Sequence, residues 1–260
     1  MKTNSVSVGA IVLSMMSGAA AAGSADLSVT IENMGPAGGF SFTPLWLAAH
    51  NGGFDAFDAG SAGGPGITAI AEGGDTSVIS ATFAGSGVDA TIAQTTGAPV
   101  FSPGESQSAV FNVGDASVNR YLSFASMVVP SNDLFFGNDD AMAYEVFDAA
   151  GNFNGPFEIL IFGGDVYDNG SEVNDAAGGA AFSALGGSGV SEGGVITRFF
   201  DGAGAQAYLA SFLGTETADG NTIGAGFDES TLIARITVVP APAGFGVLAL
   251  GGVVAARRRR

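Results

Sequence analysis

Tyr121-Leu-Ser-Phe-Ala-Ser-Met-Val-Val-Pro-Ser-Asn-Asp133 is an apolar run, then a turn, then a carboxylate. The run Tyr121–Val129 reads as a buried strand, which puts Asp133 on the loop beyond it. The arrangement recurs at Phe157–Phe162, a second buried strand, followed by Tyr167-Asp-Asn-Gly-Ser-Glu172. Asp133, Asp168 and Glu172 then sit on loops at strand ends, where several oxygens can converge on one point. Like charges on adjacent loops are costly without a counter-ion. Calcium takes roughly six to eight oxygens at about 2.3–2.6 Å from carboxylates, carbonyls and water. The expectation is a Ca²⁺ site on Asp133, Asp168 and Glu172, tying two segments together.

Working outward, the chain reads as short strands separated by Gly, Asn, Asp and Ser clusters. Leu27-Ser-Val-Thr-Ile-Glu32 alternates apolar and polar, the mark of a half-buried strand. Further strands are expected at 45–49, 77–83, 109–113, 141–147, 195–200 and 232–238. Turn signals such as Asn51-Gly-Gly, Gly73-Gly-Asp75 and Asn169-Gly170 recur between them. Short strands at this spacing predict an all-β fold, an antiparallel sandwich or barrel, in which the 20 Phe fill the space between sheets. A helix of about two turns is expected over 205–213, and Gly-rich 176–194 reads as a loop.

Both ends differ from this body. Met1-Lys2 followed by apolar Val6–Ala22 and small residues has the layout of a secretory signal peptide, assigned to 1–25. The sandwich domain is expected over 26–237. From 238 to 260 the chain has Val239-Pro-Ala-Pro-Ala-Gly244, apolar Phe245–Ala256 and Arg257–Arg260. Its twelve apolar residues reach about 18 Å, short of a hydrocarbon core of about 30 Å. A short apolar segment with a basic stop has the logic of a removable anchor, the arginines holding that end in the cytoplasm.

All 25 acidic residues lie between Asp26 and Glu229, against Arg120, Arg198 and Arg235, a difference of −22, and the body has no Lys. Such a surface repels nucleic acid and anionic lipid and favours divalent cations or basic proteins. The chain has no Cys, so neither disulfides nor thiolate chemistry contribute. His50 is the single histidine, which excludes zinc sites of two or three imidazoles. No Gly-x-Ser-x-Gly elbow accompanies it. The segment from Asp165 fails as an EF-hand, because Tyr167 stands at position 3 and Ala176 at position 12. A carbohydrate-active enzyme using paired carboxylates stays open as the alternative, since it needs two acids of many.

Several ordered blocks resemble the spondin domain, the module of F-spondin and mindin also found in bacterial secreted proteins. They are Thr43-Pro-Leu-Trp-Leu-Ala-Ala-His-Asn-Gly-Gly-Phe54, Ile70-Ala-Glu-Gly-Gly-Asp75, Leu122 through Asp133 to Gly137, and Tyr167 to Asp175. The resemblance implies a C2-like β-sandwich with calcium at a loop end, its ligand positions falling on Asp133, Asp168 and Glu172. The tail resembles the PEP-CTERM sorting signal, with Ala241 where the namesake motif has Glu. That implies export through the inner membrane, transient anchoring, processing by an exosortase-type protease, and association with extracellular polysaccharide. Together the resemblances imply a secreted or cell-surface protein, not an enzyme, with an adhesion or structural role in matrix or biofilm. Extracellular polysaccharide and surface proteins are its expected partners.

Overall fold

The computed structural model describes residues 24–87, 90–217 and 220–241. Two antiparallel sheets face each other, as the strand pattern predicts. The smaller contains β1 (Ser24–Asn33), β5 (Ser106–Asp115), β8 (Phe157–Phe162) and β11 (Leu232–Pro240), in the order β5-β1-β11-β8. The larger runs β10 (Thr197–Arg198), β9 (Val166–Asp168), β7 (Leu134–Gly137), β6 (Tyr121–Val129), β3 (Trp46–His50), β4 (Ala90–Gln94). A short β2 (Ser41–Phe42) pairs with β6. Three short helices, α1 (Pro65–Gly73), α2 (Ser77–Gly85) and α3 (Ala205–Ser211), complete it. Among the described residues no helix is long and apolar enough to cross a membrane.

The smaller sheet obeys period-two patterning. Leu27, Val29 and Ile31 of β1 point inward, as do Ile236 and Val238 of β11 and Ile159 and Ile161 of β8. The outer face is polar, and Arg235 bridges Glu32 at 2.6 Å across the β1–β11 register. In the larger sheet β6 is buried on both faces. Leu122, Phe124 and Val128 join the inter-sheet core, while Ala125 faces a second core under the helices. That second core gathers Trp46, Ile70, Phe83, Phe135 and Tyr167. Continuous apolarity in β6 therefore reflects a third layer, the α1–α2 pair, on the outside of the sandwich.

Two expected strands are corrected. Residues 77–83 form helix α2: Ile79 and Phe83, four apart, bury together on one helical face. Its approach to α1 is close, because a side-chain carbon at Gly66 would meet the Ile79 backbone at 2.8 Å. Residues 141–147 make only isolated bridges, Tyr121 with Glu145 and Phe147 with Phe153, around an Asp140–Ala143 turn. The expected 195–200 strand shortens to β10, followed by a 3-10 turn at Phe199–Asp201. Strand β1 starts at Ser24, and β11 continues through Pro240, which pairs with Leu27. The first three residues of the 238–260 segment thus belong to the sandwich; 1–23 and 242–260 lie outside the described residues.

Candidate metal centre

The sequence placed the three acids on loops after β6 and β8. In the structure two further short strands carry them. Asp133 directly precedes β7, and Asp168 ends β9. These strands pair antiparallel with Leu134 opposite Asp168, so the start of one meets the end of the other. The ladder brings Asp133 and Asp168 together across 35 residues of chain, and Asn169 N–H donates to the Asp133 carbonyl at 3.2 Å.

The Asp133 side chain is 0% exposed. Its Oδ2 accepts the Ser171 N–H at 2.8 Å, the Glu172 N–H at 3.0 Å and the Ser171 hydroxyl at 3.1 Å. Its Oδ1 is buried with no hydrogen-bond partner. Burial first, and the Asp168 charge second, push its pKa up to about 7 against the pull of those donors. Asp168 is also raised, by burial; Gly170 N–H donates to its Oδ1 at 2.8 Å and Asn174 Nδ2 to its Oδ2.

Glu172 is placed differently. Its main chain serves Asp133, while its carboxylate lies against Gly189, where any side chain would overlap it. Burial and the Glu72 charge raise its pKa, and a hydrogen bond with Asn132 opposes them. Among the described residues, no three His, Cys, Asp and Glu side chains form a group fit to hold a metal. The acids alone are therefore an incomplete ligand set.

Amide oxygens extend it. Among the described residues, three of the four buried side-chain polar atoms lacking a partner belong to this region: Asp133 Oδ1, Asn169 Oδ1 and Asn174 Oδ1. All are acceptors. Asn169 uses its amide hydrogens on Thr68 and Ser171 and leaves its oxygen against Gly63. Asn174 gives a hydrogen to Asp168 and leaves its oxygen unmet. Unmet buried acceptors beside two carboxylates match the oxygen-only chemistry of a hard cation. Asp133, Asp168 and Asn174 are the residues that could offer oxygens to such an ion.

Asn132 and Tyr208, which the sequence reading did not single out, hold the frame. The Tyr208 hydroxyl donates to Asn132 Oδ1 at 2.7 Å and accepts the Asn132 N–H at 2.9 Å. Asp175 N–H adds a third bond to Asn132 Oδ1 at 3.0 Å. Helix α3 is thereby tied to the residue preceding Asp133. The position of Asn132 inside the quoted stretch was a usable signal, whereas Tyr208 had none. Asp168 and Asn174 also face a cleft of about 550 Å³ between residues 174–177 and α3.

His50 plays no part. It is buried on β3, and burial lowers its pKa to about 4. Its Nδ1 accepts the Gly52 N–H at 3.0 Å, so the neutral ring carries its proton on Nε2, 2.9 Å from Ser123 Oγ. Asn138 Nδ2 also donates to that hydroxyl, at 3.1 Å. A ring that gives the serine a proton is the reverse of a general base.

No protein-family model and no curated protein matches this chain.

Proposed function

We propose that this chain is a calcium-stabilised β-sandwich that is exported and acts by binding at the cell surface or in extracellular matrix. The carrying observation is Asp133 Oδ1: a carboxylate oxygen in the interior, without a donor, beside the half-buried carboxylate of Asp168. Burying two like charges is strongly unfavourable unless a cation offsets them. Calcium would supply that charge through Asp133, Asp168 and the Asn174 amide oxygen. Ser171 and Glu172 main-chain groups orient Asp133 for it, and Gly170 orients Asp168.

The surrounding chain supports the rest of this reading. A strongly acidic body, a signal-like start and a sorting-like tail suit export, with polysaccharide or surface proteins as partners. A carbohydrate-active enzyme would need a raised carboxyl in reach of substrate. Asp133 is raised yet closed off from solvent, and Asp168, raised and facing the cleft, already accepts a hydrogen bond on each oxygen, which suits a bound carboxylate better than a proton donor. The test is thermal melting of chelator-treated protein with and without millimolar calcium. A rise of several degrees is expected, following roughly 2.7 kcal/mol of stabilisation at 100 times the dissociation constant. Superimposable curves would overturn the calcium reading.

A further inference from the structure

The cleft beside Asp168 has a chemistry of its own. Its volume is about 550 Å³, far larger than one ion needs. Its charged side chains are both carboxylates, Asp168 and Asp175. Asp168 lies on it with both oxygens only singly engaged, and Asn174 Oδ1 has no donor at all. Asp175 adds a carboxylate at the exposed rim, with one oxygen taken by the Ala177 N–H. Of the three hydroxyls lining it, Ser211 donates to the Tyr208 carbonyl and Tyr208 to Asn132, which leaves that of Thr197. No Lys, Arg or His is among the residues lining it.

The walls are aliphatic. Ala177, Leu185, Ala203 and Ala207 line them, and Leu185 is 47% exposed. A ligand suited to this shape has an apolar stem and a donor-rich, positively charged head. Anions are disfavoured by two carboxylates at the site and by a body with 25 acidic residues. A neutral polyol would satisfy the acceptors but leave both the negative charge and the aliphatic walls unmatched.

We infer that this cleft binds an alkylammonium group, the side chain of a lysine or a free aliphatic diamine, with its charge between Asp168 and Asp175 and its methylenes along Ala207 and Leu185. An ammonium presents three donors and no acceptor, the complement of this floor. The lysine stem packs on apolar surface while its head stays polar. The inference shares Asp168 and Asn174 with the calcium reading but does not require it, because the amine is titrated into chelator-treated protein and calcium should compete with it.

The test is calorimetric titration of the full chain, treated with chelator, using 1,5-diaminopentane and a neutral peptide containing one lysine. An Nε-acetylated copy of that peptide removes the charge and keeps the stem. Binding of the diamine or the lysine peptide is expected, with a loss of at least tenfold on acetylation. The two arms tell a free amine from a protein-borne one. Ala207→Trp fills the exposed helical wall of the cleft without changing net charge, and Asp175→Asn keeps its turn while removing the rim charge. Both should weaken binding at least tenfold, while Ala207→Trp keeps any calcium-induced rise in melting temperature. Equal affinity in wild type and Ala207→Trp would reassign the binding to diffuse attraction by the acidic surface and overturn the inference. Absence of binding by both amines would do the same.

Discussion

Asp133 carries opposite obligations on its two oxygens. Oδ2 gathers three donors from Ser171 and Glu172, and Oδ1 meets none. Replacing it with Ala strips a partner from two part-buried main-chain N–H groups, at about 1–3 kcal/mol for each donor left unmet. Asp133→Ala should therefore lower stability by several kcal/mol in urea unfolding. Asp133→Asn behaves otherwise, since one amide oxygen can still serve the Ser171–Glu172 turn. The sign with pH follows from linkage. Its folded pKa of about 7 lies above the ordinary 3.8, so the folded state holds the proton more tightly between those values. This group's contribution is greatest below pH 3.8 and declines as pH rises to about 7. Metal-free protein should lose stability over that interval, and Asp133→Asn should flatten the decline and abolish the calcium response. Melting temperatures taken at pH 5 and pH 8 with chelator check both statements.

At the scale of elements, what could be read from sequence depended on how much of the burial signal was local. Strands β6 and β8 were legible at full length, because their apolar runs carry the signal unaided. Strand β1 was legible because one buried face imposes strict alternation. The 77–83 segment was misread because its Ser-Val-Ile-Ser-Ala-Thr-Phe pattern fits either period, and packing decides in favour of Ile79 and Phe83 on one helix face. Strands β7 and β9, too short to show periodicity, went unseen, yet their pairing joins the two acids. So Asp133 and Asp168 could be named from sequence as candidates, while the ladder that brings them together and the placing of Glu172 against Gly189 could not. Helix α1 was missed for a related reason: Ile67, Ile70 and Ala71 are too few apolar positions to show a period, and Gly66 packs against Ile79 without a side chain. Gly66→Ala should separate α1 from α2 and cost about 1–3 kcal/mol by overpacking. Gly73→Ala, in the same helix with open space around it, should instead stabilise by about 0.5–1 kcal/mol. Chemical denaturation of the two variants distinguishes a packing glycine from a merely permissive one.

For the whole molecule, the boundary between sandwich and tail matters to any export experiment. Val239 and Pro240 pair with Ser28 and Leu27, and the Ala241 N–H reaches the Asp26 carbonyl at 2.9 Å. A truncation starting at Val239 would damage the smaller sheet, so the informative deletion is 242–260. It should leave melting behaviour unchanged and shift the protein from the membrane fraction to the medium, as followed by immunoblot. Continued retention of that variant would remove the tail from the proposal.

The same pairing has a consequence for the order of events in the cell. The first described strand, β1, sits between β5 and β11, and β11 is the last of the described strands to be synthesised. Until some two hundred residues have followed it, β1 lacks half of its ladder, and the inter-sheet core lacks Ile236 and Val238. Closing so long a loop is slow and comes late. The architecture itself therefore postpones compaction until β11 has been made, and a chain exported as proposed would stay slack while it is threaded outward.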